Sequence, residues 1–211
     1  MPAQSDPSQM DSERYSALIV PAIGPWPRFD PPLRLGVMAS GTGSNFEALH
    51  NATSCGDLNA RIHLLVVNRA GCGASAKAER LGIRCELRDH RVFPSREAMD
   101  QNLVRTFQDE GVEAIVMAGW MRIVTPVLID AFPGRLINIH PSLLPAFRGL
   151  DAIGQCLTSG ATVTGCTVHQ VQKDVDTGPI LAQAAVPVLP GDDRETLARR
   201  IRRQEHRLLP W

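Results

Sequence analysis

An excess of charge of either sign is what this chain most plainly lacks: 22 Lys and Arg stand against 22 Asp and Glu over 211 residues. A balanced surface gives no bulk attraction for nucleic acid or a membrane face, so neither is expected as a partner. Long apolar runs are missing too. None approaches the roughly 18 residues of a membrane-spanning helix, and the N-terminus carries no charged-then-apolar secretion signal. Cysteine is sparse: Cys55, Cys72, Cys85, Cys156 and Cys166 are odd in number and form no C-x-x-C pair. That argues against a disulfide framework and against a zinc site, and for reduced thiols in a cytoplasmic compartment. One sizeable core, hence one folded domain, is the default at this length.

Proline, by contrast, is plentiful at one end. Pro2, Pro7, Pro21, Pro25, Pro27, Pro31 and Pro32 crowd residues 1–33, where no hydrophobic period develops, and the stretch reads as a disordered or loosely attached extension. The early acids Asp6, Asp11 and Glu13 speak against a transit peptide. From Arg34 onward, strand and helix signals alternate. Strands are predicted at Leu35–Ala39, Ile62–Val67, Ile83–Leu87, Ala114–Met117 and Leu136–His140. Helices are expected from Ser44, around Ala74–Leu81, from Pro94 to about Glu110, and after the N-cap and N1 pair Thr125-Pro126. Strand–helix–strand units of this length imply an α/β fold over residues 34–211, with a doubly wound, mostly parallel sheet. Residues 162–171 and 180–188 are strand-like and separated by a turn, which predicts an antiparallel C-terminal addition. Ligands of such sheets sit beyond the carboxyl ends of the strands.

Two polar segments fall at such ends. Ser40-Gly41-Thr42-Gly43-Ser44-Asn45 follows the first strand and opens a helix; its glycines allow close approach of a ligand, and free N–H groups of the first turn favour an anion. A dinucleotide fingerprint is excluded by Phe46 at the third glycine position, and a Walker loop by the missing Lys-Ser/Thr. Ser44 and Glu47 also fit a plain capping box, which explains them but not both glycines. In the second segment, Asn138 and His140 alternate to one side of a strand end held by Pro141 and Pro145. Asp176 follows on the turn Asp174-Val175-Asp176-Thr177-Gly178-Pro179. Amide, imidazole and carboxylate are the groups that an acyl-type transfer needs. A core histidine with local hydrogen bonds is the alternative.

Together with Val67-Asn68-Arg69, Ser95-Arg96-Glu97, Ala118–Val124, Asn138–Pro145, Thr167-Val168-His169, Asp176-Thr177-Gly178-Pro179 and Gln204-Glu205-His206, the loop gives the chain a specific likeness. Residues 34–211 resemble the glycinamide ribonucleotide formyltransferases of purine biosynthesis. The resemblance implies a formyltransferase fold, 10-formyltetrahydrofolate as co-substrate, no metal, small-molecule substrates only, and a monomer or homodimer. It implies that Gly43, Ser44 and Asn45 hold the ribose phosphate of the nucleotide and that Glu205 helps to hold the same substrate. Arg96, Met121, Arg122, Ile123, Val124 and Asn138 would contact the folate. Asn138, His140 and Asp176 would be catalytic, with His169 in support. The family continues past the point corresponding to Trp211, so a C-terminally truncated domain, less stable than a longer homologue, is one expectation.

The chemistry stands without the family. A glycyl amine attacking a formyl carbonyl builds negative charge on oxygen, which Asn138 and a charged His140 can meet with N–H groups. A nearby carboxylate favours the charged ring, and Asp176, through a water, is the expected base for the amine's proton. Each other residue has a plainer reading: Arg96 as a surface residue opening a helix, Arg122 as a stem covering the sheet end, His169 as a core histidine. Glu205 interrupts an apolar stripe of Leu197, Ile201 and Leu208, and an inward carboxylate needs a partner. His50, His63, His90 and His206 are read as surface or structural, and Arg199–Arg203 as a solvated face. Among rivals, methionyl-tRNA formyltransferase needs an RNA-binding domain. A formyltetrahydrofolate deformylase, which would hydrolyse the same folate, needs an N-terminal regulatory domain and has no use for the glycine loop. A non-catalytic binding module would not require Asn138, His140 and Asp176 together.

Overall fold

The computed structural model describes residues 17–24 and 28–211. One eight-stranded sheet organises them, in the order β1-β8-β7-β6-β5-β2-β3-β4. Its parallel part comprises β2 (Leu33–Ala39), β3 (Ala60–Val67), β4 (Cys85–Leu87), β5 (Ala114–Met117) and β6 (Leu136–His140). β7 (Val163–Gln170) and β8 (Ile180–Pro187) extend it antiparallel, and β1 (Leu18–Val20) closes that edge antiparallel to β8. From β2 the chain steps outward to β3 and β4, then returns to lay β5 and β6 on the other side of β2. The β2–β5 junction is thus the point where strand order reverses, the place where such sheets bind ligands.

Helices cover both faces. α1 (Ser44–Cys55), α2 (Gly73–Leu81) and α6 (Arg194–Leu208) bring Phe46, Leu49, Ala74, Ala78, Leu197 and Ile201 onto the face carrying Val37, Leu65 and Val116. α3 (Arg96–Asp109) and α4 (Pro126–Ala131) bring Met99, Leu103, Phe107 and Leu128 onto Met38, Leu64 and Val66 opposite. Burial on both faces is why the strands read as near-continuous apolar runs. Among the described residues no helix is long and apolar enough to cross a membrane.

Four sequence expectations change. Part of the proline-rich stretch is ordered: Leu18–Val20 pairs with Gln183–Ala185, because an edge strand needs only one partner and prolines can flank it. The rest of the expected extension at 1–16 and 25–27 lies outside the described residues. A helix not foreseen, α5 (Ala152–Ser159), is started by Asp151, whose carboxylate accepts from Gly154 N at 3.3 Å. The capping box at α1 does not form. Gly43 is the N-cap with no side-chain bond, and Glu47 turns instead to Lys77 and Arg80 of α2. Thr125 holds the N-cap position of α4 with Pro126 behind it, but its hydroxyl does not cap; its N–H donates to the buried carboxylate of Asp100 at 2.5 Å.

Candidate active site

Three neighbouring parallel strands, β6, β5 and β2, end side by side, and each delivers one part of the site. β2 runs into Gly41-Thr42-Gly43. Gly43 has φ +72°, and a Cβ there would stand 2.6 Å from Ala74 Cα, so both the turn and the packing of α2 require glycine. With no side chain capping α1, its first-turn N–H groups remain open to an anion. Asn45 is buried. Its Nδ2 donates to Glu205 Oε2 at 3.0 Å, and its Oδ1 has no hydrogen-bond partner. Glu205 lies on the apolar stripe of α6 with Leu197, Ile201 and Leu208. Burial pushes its carboxyl above the ordinary range, against the opposing pull of the Asn45 hydrogen bond and the Arg202 charge.

β5 leads into residues 118–125. Ser40 ties this segment to the glycine loop: its N–H donates to Gly119 O at 3.1 Å, and its Oγ accepts from Met121 N at 2.8 Å. Between the segment and the start of α3 lies a cavity of about 200 Å³ lined by Phe93, Arg96, Met99, Trp120, Arg122 and Ile123, with His90 and Asp100. Trp120 Nε1 and His90 Nδ1 are buried without a hydrogen-bond partner. Unpaired polar atoms beside apolar walls suit a heterocycle that brings its own donors and acceptors. Val124, expected to contact the folate, packs into the core beside Leu128, while Met121 is exposed. Asp100 faces the cavity; burial raises its carboxyl above the usual range, and the Thr125 hydrogen bonds partly offset this.

β6 carries the polar cluster. His140 is buried, its Nε2 donating to Phe147 O at 2.8 Å and its Nδ1 lying 3.3 Å from Asp176 Oδ2. A carbonyl can only accept, so Nε2 carries a hydrogen. Asp176 Oδ2 accepts from Gly149 N at 2.9 Å, and Oδ1 lies 3.5 Å from His169 Nε2. Burial pushes this carboxyl up, but His169, the Gly149 amide and the charge of His140 outweigh it and hold Asp176 below its ordinary value. Phe147, Asp151 and Asp176 are the non-glycine residues at positive φ among the described residues. Two of them touch His140: Phe147 supplies the carbonyl at Nε2 and Asp176 the carboxylate at Nδ1. Such conformations cost on the order of 1–3 kcal/mol each and persist where the surroundings fix them.

The sequence expectations therefore gather into three adjacent places. Asn138, His140, Asp176 and His169 form one cluster; Gly43, Ser44, Asn45 and Glu205 form another; Arg96, Arg122 and Ile123 share a cavity. Residues 33–211 match the family model described as formyl transferase. The chain belongs to the formyl transferase family. Its fold superimposes on the crystal structure of glycinamide ribonucleotide transformylase 1 from Symbiobacterium toebii with a TM-score of 0.85 and 44% identity, covering 86% of each chain. Phosphoribosylglycinamide formyltransferase from Bacillus halodurans is similar at TM-score 0.82 and 40% identity, over 84% of this chain and 91% of that one. The human trifunctional purine biosynthetic protein adenosine-3 is 40% identical over 177 residues, which are 84% of this chain and 18% of that protein. The chain thus spans under a fifth of that curated relative.

Sequence reasoning missed several participants. Phe147 and Gly149 act through the main chain and leave no side-chain signature. His90, read as surface or structural, lines the cavity. Arg202, read as part of a solvated face, exerts its charge on Glu205, and His206 Nε2 is buried without a partner beside it.

Proposed function

We propose that this chain transfers the formyl group of 10-formyltetrahydrofolate to the glycyl amine of N1-(5-phospho-D-ribosyl)glycinamide, giving the formylated nucleotide of purine biosynthesis. The observation that carries the reading is the alignment of three subsites at the ends of β2, β5 and β6, with Asn138, His140 and Asp176 at one end of that row. The open N-terminus of α1 and the glycine loop suit the phosphate, with Asn45 and Glu205 offering an acceptor to ribose hydroxyls or the amine. Arg202 supplies positive charge close by. Arg96, Arg122, Ile123 and the unpaired Trp120 N–H suit a flat, polar-edged folate with a carboxylate tail.

Attack of the amine on the formyl carbon forms a tetrahedral centre with charge on oxygen. Asn138 donates to that oxygen from its amide, and His140 from Nε2–H, the formyl oxygen replacing Phe147 O as acceptor. Donors of this kind are worth roughly 10²–10³ in rate. Asp176, ionised because its carboxyl is held low, takes the proton of the attacking amine through a water. Collapse then breaks the bond from the carbon to the folate N10, which leaves with the proton that Asp176 had taken, returned through the water. The side chains that this reading invokes lie on β6 and on the 171–179 turn.

The test is to mix the protein with 10-formyltetrahydrofolate, with and without the nucleotide. Loss of the folate formyl only when the nucleotide is present supports transfer. Loss without the nucleotide would mean a hydrolase instead.

A further inference from the structure

We propose that His169 is a positioning residue that orients the Asn138 amide, and that it does so only while its Nε2 carries no hydrogen. The inference rests on the transfer reading above and goes beyond it. Asn138 and His169 face each other across the β6–β7 pair. His169 Nδ1 lies 2.9 Å from Gln170 O, so that nitrogen carries a hydrogen. His169 Nε2 lies 3.1 Å from Asn138 Nδ2 and 3.5 Å from Asp176 Oδ1. The first neighbour is a donor and the second an acceptor. One ring nitrogen cannot accept from the amide and donate to the carboxylate at the same time. The shorter, hydrogen-bonded contact is to Asn138, which makes the ring neutral, with its lone pair at Nε2; Asp176 is then held low by the Gly149 amide and the charge of His140 rather than by His169. The ring is buried, so no solvent replaces either partner.

Two histidines therefore flank one carboxylate in different states. His140 has an acceptor at each nitrogen, Phe147 O and Asp176, and carries hydrogens on both. His169 has one acceptor and one donor, and carries a single hydrogen. In that state it takes one N–H of Asn138 and leaves the amide's other N–H free for the formyl oxygen. A hydrogen on Nε2 would confront the amide N–H₂ donor to donor, favour Asp176 Oδ1, and turn the amide over to present its oxygen. The groups facing His169 that can titrate or carry charge are Asp176 and, across that carboxylate, His140. Gly178 supports the arrangement. A Cβ there would stand 1.8 Å from Gln170 O, so the chain presses on the carbonyl that fixes His169 Nδ1.

The direct measurement uses the unaltered protein labelled with ¹⁵N-histidine. Ring-nitrogen shifts at neutral pH should show His169 as the Nδ1–H tautomer, with unprotonated Nε2; a hydrogen on Nε2 would overturn the proposal. A double-mutant cycle supplies the kinetic test. His169→Phe should lower kcat by up to ~10², with little change in KM for the folate, and His169→Gln, whose Oε1 can accept from the amide, should recover part of the loss. In the Asn138→Ala background, His169→Phe should cost nothing further. Multiplying effects would mean that His169 acts elsewhere. Near-normal turnover of Asn138→Ala alone would refute the underlying transfer reading instead, so the two failures are distinguishable.

Discussion

Asp176 and Glu205 are both buried carboxylates, yet burial has opposite outcomes for them. Asp176 is surrounded by the Gly149 amide and two histidines, and its carboxyl is held low. Glu205 has one amide hydrogen bond and the charge of Arg202, and its carboxyl is pushed up. The same contrast runs through the whole site. Polar groups of the β6 cluster find partners within the chain, with Phe147 and Asp176 held at positive φ to supply two of them. At the glycine loop and the α3 cavity, Asn45 Oδ1, Trp120 Nε1, His90 Nδ1 and His206 Nε2 are buried without a hydrogen-bond partner. Such atoms are costly unless something completes them. On the proposed function, the reacting centre is built in advance and the binding ends are finished by ligands.

The largest effects should come from the prebuilt centre. His140→Ala or Asp176→Asn is expected to lower turnover by at least ~10² while nucleotide binding persists, as steady-state kinetics and a binding titration would show. Near-normal rates would remove the pair from the chemistry. Next comes the glycine loop. Gly43→Ala brings both the positive φ and the clash with Ala74, and should raise KM for the nucleotide by roughly 10-fold or more, with a loss of about 1–3 kcal/mol in stability. An unchanged KM would mean that the loop does not touch the phosphate.

The smallest effect is the sharpest on the two carboxylates, and it concerns stability. Glu205 keeps its proton to a higher pH when folded than when unfolded. It therefore takes stability away as pH rises from the ordinary carboxylate range through its raised value. Asp176 has the opposite sign, contributing stability above its ordinary value and losing it as pH falls through its depressed one. Thermal unfolding at neutral pH should show Glu205→Gln melting at or up to roughly 4 °C above the parent, and Asp176→Asn below it. A destabilised Glu205→Gln would erase the contrast.

Much of this was legible in the residues. Apolar runs on a sheet covered on both faces announce themselves, so Ala114–Met117 and Leu136–His140 were found with their bounds. Asn138, His140 and Glu205 stood out because polar side chains interrupt apolar patterns. Long-range and main-chain relations did not stand out. Glu47 was read as capping its own helix because its true partners, Lys77 and Arg80, lie about thirty residues away. Phe147 and Gly149 contribute a carbonyl and an amide, which any residue possesses. β1 is three residues long, and its pairing partner is at the other end of the chain. α5 starts from an Asp in the left-handed region, a backbone choice with no hydrophobic period behind it.

The division of labour between the two regions is tested most directly by titrating the nucleotide into Asp176→Asn and Glu205→Gln by isothermal calorimetry. Asp176→Asn should bind it as the parent does, and Glu205→Gln should bind it more weakly by about 10-fold or more, roughly one lost charge-assisted hydrogen bond. Unaltered binding by Glu205→Gln, or lost binding by Asp176→Asn, would contradict the assignment of chemistry to β6 and of nucleotide recognition to α1 and α6.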